Sequence, residues 1–319
     1  MERENEILFK SKVNIKQYLY YYFLLFLIGV SVINPFVKIS KHEHIGILTY
    51  LFCTAILVFC IYGIYYFLEN FPRIIITKKG ILIKTLFKKK LITWNNISNI
   101  KLLGKKPLFF LFLSLPNEVT TLKLKDGSVI NIWADYYKNS SQMRLILENF
   151  KLNNTISLEV RYNKRYLTDE RSMRCINFTK YSGNPLLSLG SIMFIVTLIL
   201  FVFILIEASI QNPNPVSLII IPLMAVLYAI FANKMYYFLL SEDLLVIRNH
   251  FLFWDKKIYK LSDIKQVVLE QQFNAPISIR VITNNYESKL FAGQTLRRKT
   301  FEKLHKELEL RNIETRTEI

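Results

Sequence analysis

The chain has 319 residues, 52% of them hydrophobic, and a formal net charge of +18; its mean hydropathy is +0.25. Such apolar bulk excludes an ordinary one- or two-domain soluble protein as the first expectation. The basic residues lie between long uncharged stretches, which argues against nucleic acid as the reason for them. Cys53, Cys60 and Cys175 have the spacing of neither a disulfide framework nor a zinc site.

In chain order, a charged lead (Met1 to Gln17) precedes the first of four apolar stretches. These run about Tyr18 to Val37, Ile45 to Leu68, Pro185 to Ile206 and Pro215 to Asn233, and none contains Lys, Arg, Asp or Glu. Crossing lipid takes roughly 20 apolar residues, so each stretch predicts a transmembrane helix. Tyr18, Tyr20, Tyr21 and Tyr22, and the pairs Tyr65-Tyr66 and Tyr236-Tyr237, sit at the ends of the stretches, a depth that amphipathic rings favour. The first stretch lacks the small-residue cleavage site of a signal peptide. Lys and Arg crowd the lead and the linker before the third stretch, through Arg161, Lys164, Arg165, Arg171, Arg174 and Lys180. Ser209 to Asn214 has none, and the loop after the first stretch has only Lys38 and Lys41. The bias predicts a multipass protein of the bacterial inner membrane, with both termini and both soluble modules in the cytoplasm.

The segment after Phe71-Pro72 predicts antiparallel β and then one helix. Arg73 to Thr77 and Gly80 to Leu86 read as strands about a Lys-Lys-Gly turn. Lys90 to Leu103 places Leu91, Trp94, Ile97, Ile100 and Leu102 among polar residues. Leu108 to Leu115, a continuous apolar run, predicts either a buried strand or a strand facing the membrane. Thr120 to Lys125 and Ser128 to Trp133 flank Asp126-Gly127, a hairpin signal. Ser140 to Phe150 has helical spacing. Lys151 to Asn184 reads as a polar linker in which Thr155 to Val160 adds at most one strand. After the last stretch the same order returns. Tyr236 to Leu240, Leu244 to Asn249, Lys256 to Glu270, Ile277 to Thr283 and Ser288 to Phe291 predict strands. Leu296 to Leu310 predicts a helix with Thr295 as N-cap. The tail after Arg311 predicts fraying.

That return is an internal repeat, Arg73 to Phe150 against Lys234 to Arg311. Its clearest matches are Thr77-Lys-Lys-Gly-Ile-Leu-Ile-Lys84 with Ser241-Glu-Asp-Leu-Leu-Val-Ile-Arg248, and Ile92-Thr-Trp-Asn-Asn-Ile97 with Ile258-Tyr-Lys-Leu-Ser-Asp-Ile264. The expected organisation is a lead and first hairpin (1–70), a first module (71–150), a linker (151–184), a second hairpin (185–233) and a second module (234–319).

Ile76-Thr77, Gly80-Ile-Leu-Ile-Lys84, Ile92-Thr-Trp-Asn-Asn-Ile97 and the helix ending at Phe150 resemble the bacterial pleckstrin-homology-like domain found beside membrane spans. Leu240-Ser241, Leu245-Val-Ile-Arg248 and Leu261-Ser-Asp-Ile264 carry the likeness in the second copy, without the matching Trp and Gly. The resemblance covers about half the chain. It implies two α+β modules, each a strongly bent antiparallel sheet capped by a C-terminal helix, and no single shared chemistry. The fold class expected is therefore a four-span α-helical membrane protein with two such modules.

The densest basic cluster is Lys88-Lys89-Lys90 with Lys78, Lys79, Lys84, Lys105 and Lys106. It reads either as a contact for anionic lipid headgroups, at about 1 kcal/mol per Lys, or as a solvated hairpin. Arg297-Arg298-Lys299 sits at the end of a helix that disfavours cations, which suggests a partner contact or an ordinary exposed turn. His42-Glu43-His44 offers too few ligands for a metal. Cys53 and Cys60, seven residues apart, share a helix face with small neighbours suited to helix packing. No phosphate loop, nucleophile elbow, His-Glu-x-x-His or membrane-buried carboxylate pair is present, so neither a cofactor nor an enzymatic role is expected. Three functions remain open. The leading one is a scaffold whose modules bind a protein partner, or each other, and an anionic lipid surface. The others are a membrane-resident immunity or envelope-stress factor, and an accessory subunit of a transporter or lipid-modifying enzyme.

Overall fold

The structure is a computed structural model, and it describes residues 7–14, 47–110, 113–153, 176–211, 228–229, 231–271 and 276–318. The chain divides into two compact units, Met1–Val160 and Arg161–Ile319.

In the first unit, β1 (Ile7–Lys10) precedes α1 (Ile47–Asn70), which leads into β2 (Arg73–Thr77), β3 (Gly80–Lys84) and β4 (Lys89–Thr93). These form an antiparallel sheet in the order β1-β2-β3-β4. A 3-10 turn, Trp94–Asn96, passes the chain to β5 (Ile97–Lys101), β6 (Lys105–Phe110), β7 (Leu113–Leu124) and β8 (Val129–Trp133). The second sheet has the order β5-β7-β6, with β8 also on β7. A further 3-10 turn and α2 (Ser140–Asn153) complete the unit. The core lies among both sheets and α2: Ile74, Ile76, Ile81, Trp94, Leu122, Ile146 and Leu147 are all buried in it.

The second unit repeats the plan. β9 (Thr179–Tyr181) precedes α3 (Leu189–Gln211). There follow β10 (Tyr236–Leu240), β11 (Leu244–Asn249) and β12 (Lys256–Lys260), in the sheet order β12-β11-β10-β9. A 3-10 turn, Leu261–Asp263, leads to β13 (Ile264–Glu270), β14 (Ser278–Thr283) and β15 (Ser288–Ala292), then α4 (Arg298–Leu310) and β16 (Glu314–Glu318). Phe238, Ile247, Val267, Val281, Phe291 and Phe301 form its core.

Local chemistry explains the repeat. Thr77 Oγ1 donates to the Gly80 carbonyl and accepts from the Gly80 N–H; Ser241 does the same with Leu244. Short hydroxyl side chains closing a tight turn are what Thr-x-x-Gly and Ser-x-x-Leu share. Gly80 is required by close approach, since a Cβ there would meet the Ile92 carbonyl oxygen at 2.1 Å. Trp94 opens its 3-10 turn buried, donating Nε1–H to the Thr77 carbonyl at 3.2 Å and packing on Phe150. Leu261 takes the same place in the second unit, also buried, so the missing Trp leaves the plan intact.

The four-span expectation is corrected. Among the described residues no helix is long and apolar enough to cross a membrane. The second and third predicted spans appear as α1 and α3, of 24 and 23 residues. The stretch Tyr18 to Val37 and most of Pro215 to Asn233 lie outside the described residues. The described chain is thus a β-rich α+β protein with four sheets and four helices longer than a turn. The fold class of a multipass membrane protein, and the inner-membrane location drawn from it, do not stand.

Further differences are local. The predicted strand Leu108 to Leu115 is two strands, β6 and β7, paired as a hairpin with Phe110 opposite Leu113; a continuous apolar run carries no turn residue to announce the reversal. The lead, read as a charged segment, and the linker, read as a polar connection with a strand at most at Thr155 to Val160, each supply a strand where none was expected, β1 and β9. The tail expected to fray forms β16, parallel to β13. Arg297, not Thr295, is the N-cap of α4. Thr155 to Val160, His42-Glu43-His44, the Cys53 side chain and Cys175 lie outside the described residues.

Candidate functional site: the sheet ends bearing hairpin tips

In the first unit β2 leaves the end of α1 and β3 returns to it, so the β3–β4 turn lies at the end of the sheet where α1 joins. Arg73 stands opposite Lys84, and Lys84 opposite Lys89. Three cations therefore form one cross-strand row. Like charges directly opposite each other destabilise a sheet, and among the described residues no carboxylate pairs with Arg73, Lys84 or Lys89. Thr85 to Lys88 closes the hairpin through Thr85 N–H to the Lys88 carbonyl and Lys88 N–H to Thr85 Oγ1. This tight closure presents Leu86 and Phe87 to solvent, Phe87 at 73% exposure, and Leu91 is exposed beside them.

The sheet end is held on α1 by packing. Phe71 stacks on Tyr136 with ring centroids 3.8 Å apart, and Leu108, Val119 and Trp133 bury the pair. The Tyr137 hydroxyl donates to the Pro72 carbonyl at 2.6 Å. Residues 11–14 lock the other side. Lys12 N–H donates to Asn139 Oδ1, and Asn139 Nδ2 to the Lys10 carbonyl.

The second unit carries the equivalent tip between β11 and β12. Here Tyr237, Arg248 and Lys256 form the cross-strand row. Lys180 on β9 lies over the Tyr237 ring at 5.3 Å, and His250 packs on the same ring at 4.6 Å. Burial first, and Lys180 second, push the His250 imidazole below its ordinary range. The loop is built to be rigid. Asn249 Oδ1 accepts from Phe251 and Leu252 N–H while its Nδ2 donates to the Ala232 carbonyl. The Tyr236 hydroxyl donates to Asp255, which also faces Lys289 at 3.9 Å. Burial and Asp255 together raise the Tyr236 hydroxyl well above its ordinary pKa, so it stays a donor. This frame holds Phe253 and Trp254 out in solvent at 83% and 67% exposure, ring against ring.

The predicted basic cluster is therefore divided. Lys84, Lys88, Lys89 and Lys90 gather at the tip. Lys78 and Lys79 occupy the β2–β3 turn at the opposite end of the sheet, about 17 Å away for a five-residue strand. Lys105 and Lys106 belong to the second sheet, where Lys105 stands opposite Glu118 and Lys106 Nζ donates to Asn131. Arg297, Arg298 and Lys299 are exposed at the start of α4, with Arg298 paired to Glu302 at 3.0 Å; that i,i+4 pair offsets the unfavourable dipole. The sequence reading missed Arg73, Arg248 and the apolar tips themselves. Their signal was present as Leu86-Phe87-Lys88-Lys89 against Leu252-Phe253-Trp254-Asp255-Lys256-Lys257, the same dipeptide followed by paired lysines at the same place in both copies.

Among the described residues no group of three or more His, Cys, Asp or Glu is placed to hold a metal ion. Two buried ion pairs, Arg144–Glu118 and Arg280–Glu270, are enclosed by the protein interior rather than open to a ligand. Comparison with protein-family models, and with characterised proteins, gives no match.

Proposed function

We propose that the chain is a non-enzymatic adaptor that seats its hairpin tips on an anionic lipid surface and offers the rest of its β modules to a protein partner. One observation carries the reading: a solvent-exposed apolar tip beside cross-strand cations at the same place in both units, three of them in the first (Arg73, Lys84, Lys89) and two in the second (Arg248, Lys256). Exposed aromatic rings with basic neighbours gain from the interface twice, through apolar burial among headgroups and through attraction to anionic lipid. Each Lys near such a surface contributes about 1 kcal/mol, so Lys88, Lys89 and Lys90 together amount to about 3 kcal/mol. The anion also relieves the repulsion along Arg73, Lys84 and Lys89. The order of four-stranded sheet, 3-10 turn, second sheet and helix in each unit supports the pleckstrin-homology-like resemblance, and such modules recognise partners through sites grafted on the fold rather than through a common reaction.

The test is flotation of the full chain with vesicles of phosphatidylcholine alone or with a fraction of phosphatidylglycerol. Binding that rises with the anionic fraction and falls roughly a hundredfold in the triple variant Lys88→Glu, Lys89→Glu, Lys90→Glu is expected. Equal binding to both vesicle types, unchanged in that variant, would sink the proposal.

A further inference from the structure

The C-terminal strand β16 sits in a groove between β13 and α4. It pairs in parallel with β13 over its full length, Gln266 opposite Glu314 through Glu270 opposite Glu318. Alternate residues face the helix: Thr315 Oγ1 donates to Glu309 at 2.7 Å, and Thr317 Oγ1 lies 3.2 Å from His305 Nε2. His305 and Glu309 are one helical turn apart, so they match the two-residue step of a strand. Gln266 Nε2 donates to Glu314 at 2.5 Å. Every residue of β16, Glu-Thr-Arg-Thr-Glu, is polar, and none is buried. By contrast β13 is buried almost throughout. Only Ile313, just before β16, joins the core. Asn312 bends the chain into the groove with φ 62°, a backbone region rare for residues other than Gly.

A strand with backbone pairing, matched hydroxyl contacts and almost no apolar anchor is recognised the way an extended peptide is recognised at a sheet edge. We infer that the β13–α4 groove is a docking site for an extended segment of a partner protein, with two hydroxyl residues spaced two apart and acidic ends, and that β16 occupies it in cis. The inference rests on the reading that the modules bind a protein partner. It names where that partner enters, and it couples partner binding to release of the chain's own tail.

The probe is a fluorescent peptide with the sequence of residues 311–319, titrated by anisotropy into the intact chain, the chain ending at Arg311, and the full-length variant Arg316→Pro, which loses a ladder donor. The peptide is expected to bind both opened chains at least tenfold more tightly than the intact one, and a scrambled peptide is expected to bind none. Opened chains that keep their far-ultraviolet circular dichroism yet gain no affinity overturn the inference, as does equal binding of the scrambled peptide. Loss of fold in both opened chains overturns it too, because the strand is then part of the framework. A concentration-dependent dimer of the intact chain, abolished by truncation, assigns the groove to a second copy and overturns a separate partner. Vesicle flotation of the same variants is read alongside: unchanged lipid binding with no peptide binding leaves the lipid-surface reading standing by itself.

Discussion

Arg144 on α2 reaches across the first unit to Glu118 at 3.3 Å and Thr120 at 3.1 Å, with both charged side chains out of solvent. Burying one without the other leaves an uncompensated charge, which costs about 3–5 kcal/mol, whereas replacing both by apolar residues is close to neutral. Arg144→Met is expected to lower the urea unfolding free energy by that amount, and Arg144→Met with Glu118→Leu to restore most of it. His250 makes a pH prediction. Its folded pKa lies below the ordinary 6.5, so the folded state binds fewer protons than the unfolded state just under that value. The stability it contributes is fully present above about pH 6.5 and is lost as pH falls through the lower folded pKa. Thermal melts from pH 7.5 to 5 should show a downward slope that His250→Phe flattens. Neither feature was legible in the sequence. A Glu or Arg at a strand or helix position reads as surface until its partner, 26 residues away along the chain, is brought alongside by the fold.

At the scale of elements, the turns and hairpins were the most legible part, because their chemistry is local. Asp126-Gly127 forms its predicted hairpin, with Gly127 at φ 83° and Ser128 N–H donating to Asp126. Gly127→Ala is expected to cost about 1 kcal/mol in chemical denaturation. Gly80→Ala should cost more, since the Ile92 carbonyl stands where the methyl would go and β4 must shift to admit it; a fall in melting temperature larger than that of Gly127→Ala is the measurement. Strands β1, β9 and β16 were illegible for one shared reason. Each is short or polar and takes its regularity from a neighbour far along the chain, as Lys10 does from Ile75. The apolar tips were legible only by laying the two copies side by side, since single exposed hydrophobic residues carry no meaning alone.

At the scale of the whole molecule, the net charge of +18 is long-range and screened by salt. Binding to anionic vesicles should therefore weaken by more than tenfold between low salt and about 0.5 M, as the Debye length falls toward several ångströms. The residual binding should depend on Phe87, Phe253 and Trp254, and changing all three to Ser should remove it. The repeat was legible in outline, and its boundaries were not, because β1 and β9 stand on the far side of α1 and α3 from the sheets they complete. That placement makes each helical segment a detour. The chain leaves the sheet at Lys10 and comes back beside it at Arg73, and leaves at Tyr181 and comes back at Tyr236, each time next to the strand it left. Lys10 stands opposite Ile75 and Tyr181 opposite Phe238, one strand spacing of about 4.8 Å, so the detour is a closed loop hung on a seam of backbone hydrogen bonds. Doubling the length of such a loop costs only about 0.6 kcal/mol. The module can therefore keep its sheet while what hangs from the seam is lengthened, shortened or exchanged, and a ribosome must release the far side of the seam before the near side has anything to pair with.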